Sequence, residues 1–80
     1  MELNELNKGK AKYFFENKIS VHISKTNGFF NNGIILELSG DLLIIDDIRN
    51  GATPIYFLEI KDIEKFIEMK GGISKDDRKN

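Results

Sequence analysis

Eighty residues and 9.2 kDa fit one domain, with no room for a second core. At 40% hydrophobic and 31% charged the composition is that of a globular protein without a membrane span, and a net charge of −1 excludes a global basic field that would pull in nucleic acid. Zero cysteines exclude a disulfide framework and any thiolate metal site, and with a start at Met1–Glu5 that lacks the basic and apolar parts of a secretory leader they point to a reducing, cytoplasmic setting. Along the chain, 3–16 reads as a helix, because Leu3, Leu6, Tyr13 and Phe14 recur near helical spacing. The stripe is thin and its middle is polar (Asn7, Lys10), so the helix is expected to lean on a sheet as a lid. Asn17 is the expected stop, since it tolerates the left-handed conformation that ends helices.

From Lys18 the period changes to two. Ile19, Val21 and Ile23 alternate with Ser20, His22 and Ser24, the pattern of a strand with one wet face over about 18–26. Asn27-Gly28 supplies a turn into a second strand, about 29–38, whose Gly33 marks a bend. Ser39-Gly40-Asp41 is the next turn. Leu42-Leu43-Ile44-Ile45 then reads as a run covered on both faces, in a third strand of about 41–49. Asn50-Gly51 is a strong hairpin dipeptide, and Pro54 stands at the start of a fourth strand, about 53–60. The segment 63–69 fits a strand through Ile63, Lys65 and Ile67 and a helix through Ile63, Phe66 and Ile67. A closing strand over 63–68 is favoured, because the four before it need an edge partner. Residues 71–80 read as a disordered charged tail after a single domain over 1–70. The expected fold is therefore mainly β: an N-terminal helix followed by a five-stranded, strongly bent antiparallel small barrel.

The stretch Asn27-Gly28-Phe29-Phe30-Asn31-Asn32-Gly33-Ile34-Ile35-Leu36-Glu37-Leu38 resembles the first signature of the Sm-like superfamily, which includes the Lsm proteins and Hfq. Gly28, Gly33, Ile35 and Leu38 sit where that pattern wants them. Leu43-Ile44-Ile45-Asp46-Asp47 is similar to the family's third-strand ending, and Ile60-Lys61-Asp62-Ile63 to its link into the last strand. The resemblance covers about residues 3–68 and implies ring assembly and single-stranded RNA binding. It does not carry the family's RNA pocket. The Asp before the third strand and the base-contacting Asn within it are out of place, with Leu43 near the Asn position. The Arg-Gly of the second signature and the Lys-His pair of Hfq are absent; Glu59-Ile60 or Lys61-Asp62 stands where the Arg-Gly would be.

Few residues point to chemistry. Gly28 and Gly33 do not make a phosphate loop, because Ile34-Ile35 follows where a Lys-Ser/Thr would be needed. His22 lies between Ser20 and Ser24 without an orienting carboxylate, so it reads as an exposed strand histidine, with stacking on a base as the alternative. Asp41, Asp46 and Asp47 read as solvated strand ends, lacking the register of a calcium loop. No catalytic, metal or cofactor role is expected. The strongest candidate is Phe29-Phe30-Asn31-Asn32, where two aromatics beside amides at a turn form a stacking platform, unless a phenylalanine fills the barrel. Lys25, Arg49 and Lys61 are the candidate backbone contacts; Gly28, Gly33, Gly40 and Gly51 are the candidate turn and bend positions. The chain thus reads as a non-catalytic binding module, a homo-oligomer that binds single-stranded RNA by stacking and lysine contacts. The alternative is a protein-protein or assembly adaptor on the same fold, favoured by the near-neutral charge.

Overall fold

Branched residues at alternate positions bury one face of each strand and so fix its register. In the computed structural model, which describes residues 3–67, these runs form five antiparallel strands behind a helix. The helix α1 spans Leu3–Glu16, and the strands are β1 (Val21–Lys25), β2 (Phe30–Leu38), β3 (Leu42–Asp47), β4 (Gly51–Tyr56) and β5 (Ile60–Lys65). The sheet order is β4-β3-β2-β1-β5. Val21 and Ile23 of β1, Leu43 and Ile45 of β3, Ile55 of β4 and Ile63 of β5 are fully buried, each worth about 1.5–3 kcal/mol of transfer free energy.

The sheet bends along its longest member. A register shift separates Ile35 from Glu37 in the β2–β3 ladder. Gly33 lies so close to β3 that a Cβ there would overlap the Asp46 carbonyl oxygen, so only glycine fits. Gly28 has φ +92, and the hairpin around it is closed by Lys25 N–H donating to Phe29 O at 2.9 Å. Gly40 lies in the β2–β3 turn, where Leu42 O accepts from Ser39 N–H at 2.9 Å, and Gly51 opens β4 opposite Asp47. Among the described residues β4 and β5 do not pair with each other, so the bent sheet stays open with two free edges.

Several strand bounds differ from those expected. The segment expected as 18–26 yields β1 only from Val21, because the helix ends in a Schellman motif. Ile19 N–H donates to Phe14 O at 3.0 Å, Lys18 N–H donates to Phe15 O at 3.2 Å, and Lys18, not Asn17, takes the left-handed conformation (φ 54). Asn17 caps instead, its Nδ2 donating to Tyr13 O at 2.8 Å. The 29–38 strand begins one residue later, at Phe30, after the Gly28 turn. The third strand, expected over 41–49, ends at Asp47, whose carboxylate holds the following turn. The expected 53–60 and 63–68 become Gly51–Tyr56 and Ile60–Lys65. Phe57–Glu59 form a single 3-10 turn between them, anchored by Phe57 N–H to Asp41 O at 2.9 Å. Of the ambiguous segment 63–69, Ile63–Lys65 pair as a strand and Phe66 N–H still donates to Ser20 O at 2.9 Å, while 68 and 69 lie outside the described residues. The expected tail 71–80 lies outside the described residues.

Two packing expectations change. In the apolar run of β3 Leu43 and Ile45 are buried, while Leu42 and Ile44 on the other face are half-covered. In α1 the apolar stripe is packed only at Phe14, which with Phe15 lies half-buried against the core. Asn7 and Ala11 are buried against the sheet, whereas Leu3, Leu6 and Tyr13 are exposed. The small Ala11 permits close approach, and Asn7 Nδ2 donates to Ile60 O at 3.2 Å, tying the helix to β5. Lys10 adds a fork, reaching Asp62 Oδ1 and Glu64 Oε2 of β5 at 2.9 Å each.

Candidate nucleic-acid interface

Asp47, at the end of β3, is the organising residue. It is 3% exposed, against the expectation of a solvated strand end; Asp41 and Asp46 are exposed as expected. A buried carboxylate needs donors, and Asp47 has four. Its Oδ1 accepts from Asn31 Nδ2 and Asn32 N–H, both at 3.1 Å. Its Oδ2 accepts from Arg49 N–H at 3.0 Å and Asn50 N–H at 2.9 Å. Burial pushes the carboxyl pKa up, but these four hydrogen bonds outweigh it and hold the group below the usual carboxylate value. The β3–β4 turn and the start of β2 are thereby locked together.

That lock decides what the neighbouring side chains present. Asn31 and Asn32 are buried, so their amides build the site rather than face outward. Asn32 Oδ1 accepts from His22 Nδ1 at 2.6 Å, and His22 stands opposite Asn32 in the β1–β2 ladder. The aromatics do face outward: Phe29 is 69% exposed and Phe30 is 45% exposed, and neither fills the core. The His22 ring lies 5.1 Å from the Phe30 ring, tilted by 39°. The Arg49 guanidinium sits 5.7 Å from the Phe30 centroid, within cation–π range. An imidazole and a guanidinium are thus gathered around the exposed Phe30 ring, with the exposed Phe29 next to it in the chain.

Of the candidates from sequence, Phe29, Phe30, Asn31, Asn32 and Arg49 converge at this end of the sheet. Lys25 pairs with Ile60 at the start of β5, so Lys61 lies one residue along from its partner, at the same end of the sheet. Gly28 shapes the hairpin that carries Phe29, and Gly33 brings β2 onto β3 next to Asp47. Gly40 is at the opposite end of the sheet. His22 was legible only as a strand histidine, because the ladder partner that aims it is ten residues away. A second feature, a recess of about 410 Å³ lined by Asn4, Lys8, Asp41, Tyr56, Phe57 and Leu58, had no local signal; it joins α1 to loops far apart in sequence. Lys8 Nζ lies 5.8 Å from the Phe57 ring centroid at its edge. Among the described residues no group of three metal-ligating side chains occurs, and no helix is long and apolar enough to cross a membrane.

A helix followed by five antiparallel strands in one bent sheet, with the glycine-marked β1–β2 hairpin, is the Sm-like fold. Among solved structures the chain is similar to Hfq, described as a pleiotropic translational regulator. The TM-score is 0.64 at 21% identity, over 72% of this chain and 95% of that one. No protein-family model and no curated protein matches the chain. The likeness fixes the fold; the roles of individual residues rest on the geometry above.

Proposed function

We propose that this protein is a non-catalytic Sm-like module that self-associates through its open sheet edges and binds single-stranded RNA on the Phe29–Phe30 surface. The observation that carries the reading is the pair of exposed phenylalanines at a rigid turn, with Arg49 over Phe30 and His22 beside it. Bases stack on aromatic faces for about 1–3 kcal/mol each without sequence preference, and nearby cations neutralise the backbone. Lys25 and Lys61 supply that charge. Repetition around an oligomer turns weak single sites into avidity, which a chain of net charge −1 needs. The likeness to a translational regulator supports the same direction.

The test is fluorescence anisotropy with labelled single-stranded RNA homopolymers at low salt. Phe29→Ala and Phe30→Ala are each expected to weaken binding about tenfold. Lys25→Glu combined with Lys61→Glu is expected to abolish it. Unchanged binding in the double variant would place the RNA elsewhere. A wild-type protein that binds no homopolymer would favour the second reading, a protein-assembly adaptor. That reading draws on the near-neutral charge and on the half-covered face of β3, where Leu42 and Ile44 stand beside exposed Tyr56 and Leu36.

A further inference from the structure

The outward face of α1 has a pattern that the fold does not use. At about 100° per residue, Asn7 and Ala11 point at the sheet and Gly9 lies at the centre of the opposite face. Gly9 stands in a helix interior, where glycine costs about 1 kcal/mol relative to alanine, and among the described residues nothing beyond its own helix backbone and chain neighbours approaches its Cβ position within 4 Å. On one flank of Gly9 stand Leu6, 45% exposed, and Tyr13, 58% exposed; with Gly9 they line a shallow groove of about 350 Å³. On the other flank stand Glu5 and Lys12, both exposed and seven residues apart, two helical turns. One flank is therefore apolar and the other carries an acid and a base at opposite ends.

We propose that this face pairs with the same face of a second copy, two α1 helices crossing antiparallel at Gly9. The occupant follows from the pattern's self-complementarity. In an antiparallel pair related by a two-fold axis, like flank meets like flank. The Leu6–Tyr13 flank then covers itself, with Leu6 beside Tyr13 of the second copy. The charged flank sets Glu5 beside Lys12 of the second copy, twice, with no like-charge contact at the crossing. A parallel pair would put the apolar flank against the charged one. Glycine at the crossing lets the backbones approach at the short end of the 8–10 Å range for packed helices. At a ridge-and-groove crossing angle the helices diverge, so Glu16, two turns from Gly9, clears the second copy. The pairing uses none of the strand edges and none of the Phe29–Phe30 surface.

Light scattering and sedimentation equilibrium on the full chain test it. Gly9→Arg blocks the crossing, starts from a Cβ position that no other described residue approaches, and improves helix propensity, so the fold is expected to be kept. Wild-type particles are expected to have twice the mass of Gly9→Arg particles. Association through strand edges sets the mass of the Gly9→Arg particle, whereas α1 pairing sets the factor of two, so the two ideas fail separately. Glu5→Lys and Lys12→Glu are each expected to raise the pairing dissociation constant about tenfold or more, and the double reversal to restore it to within about threefold. Equal masses for wild type and Gly9→Arg overturn the proposal. So does a double reversal as weak as the single variants.

Discussion

At the scale of single residues, Asp47 joins the turn, the sheet and the binding surface. Its carboxylate accepts from two amides on β2 and two in the β3–β4 turn, and Asn32, one of the residues it fixes, receives the His22 hydrogen bond. Asp47→Asn keeps an acceptor for Asn31 and Asn32 but turns an NH₂ toward the Arg49 and Asn50 N–H groups, leaving these donors unpaired. The expected cost is about 1–3 kcal/mol in urea unfolding at neutral pH. The pH dependence has a definite sign. Burial raises the Asp47 pKa and the hydrogen bonds lower it further than that, so the folded value lies below the unfolded one. The stabilisation is complete above the unfolded carboxylate pKa of about 3.9 and is lost as pH falls through the folded value. Asp62 acts in the same direction, its burial outweighed first by the Lys10 hydrogen bond. Lys10 is the opposite case: the hydrogen bonds it donates to Glu64 and then to Asp62 raise its pKa, so its contribution holds below the unfolded value and fades as pH rises through the folded one. These ion pairs are exposed and worth about 0.2–1 kcal/mol, so acid unfolding is expected to report Asp47 first.

At the scale of elements, the end of α1 carries a correctable strain. Lys18 occupies the left-handed position of the Schellman motif, where a Cβ is unfavourable and glycine is not. Lys18→Gly is expected to stabilise the protein by about 0.5–1 kcal/mol after the extra freedom of the unfolded glycine is subtracted, read as a higher urea midpoint at unchanged slope. The same element shows where the sequence is legible and where it is not. The strands could be read because alternation in Ile19–Ser24 and the dipeptides Asn27-Gly28 and Asn50-Gly51 are local signals. The facing of α1 could not, because Asn7 and Ala11 are chosen by the Ile60 carbonyl, 53 positions from Asn7, and by the space beneath the helix, which β2 and β5 build together. At the site, the exposed Phe29 and Phe30 were visible as a doublet beside a turn. The burial of Asn31, Asn32 and Asp47 was not, since an acid closing a strand looks solvated until its four donors are assembled around it.

At the scale of the whole molecule, the two open edges are chemically unlike. Phe57 N–H points to Asp41, so alternate residues of β4 face β3 and the nitrogen of Pro54 faces outward. The free edge of β4 therefore offers the N–H groups of Ala52 and Tyr56 but none between them, which also keeps proline out of the β3 ladder. On β5, Phe66 N–H points to Ser20, so Glu64 and Asp62 face β1 and the N–H groups of Lys61, Ile63 and Lys65 face outward. An outward carbonyl row on β4 that lacks a donor at Pro54 is matched by an edge on β5 with three donors. The proposed self-association would pair the two and extend the sheet from copy to copy. Lys65→Pro tests this at the β5 side. Its nitrogen faces away from β1, so a proline there deletes a donor from the free edge and none from the intramolecular ladder. Assembly mass measured by light scattering is expected to collapse to a monomer or to an α1-paired dimer, while far-UV circular dichroism stays as in the wild type. A folded Lys65→Pro protein with undiminished mass would show that β5 is not an assembly edge, and would turn attention to the half-covered face of Leu42 and Ile44 as the surface that holds copies together.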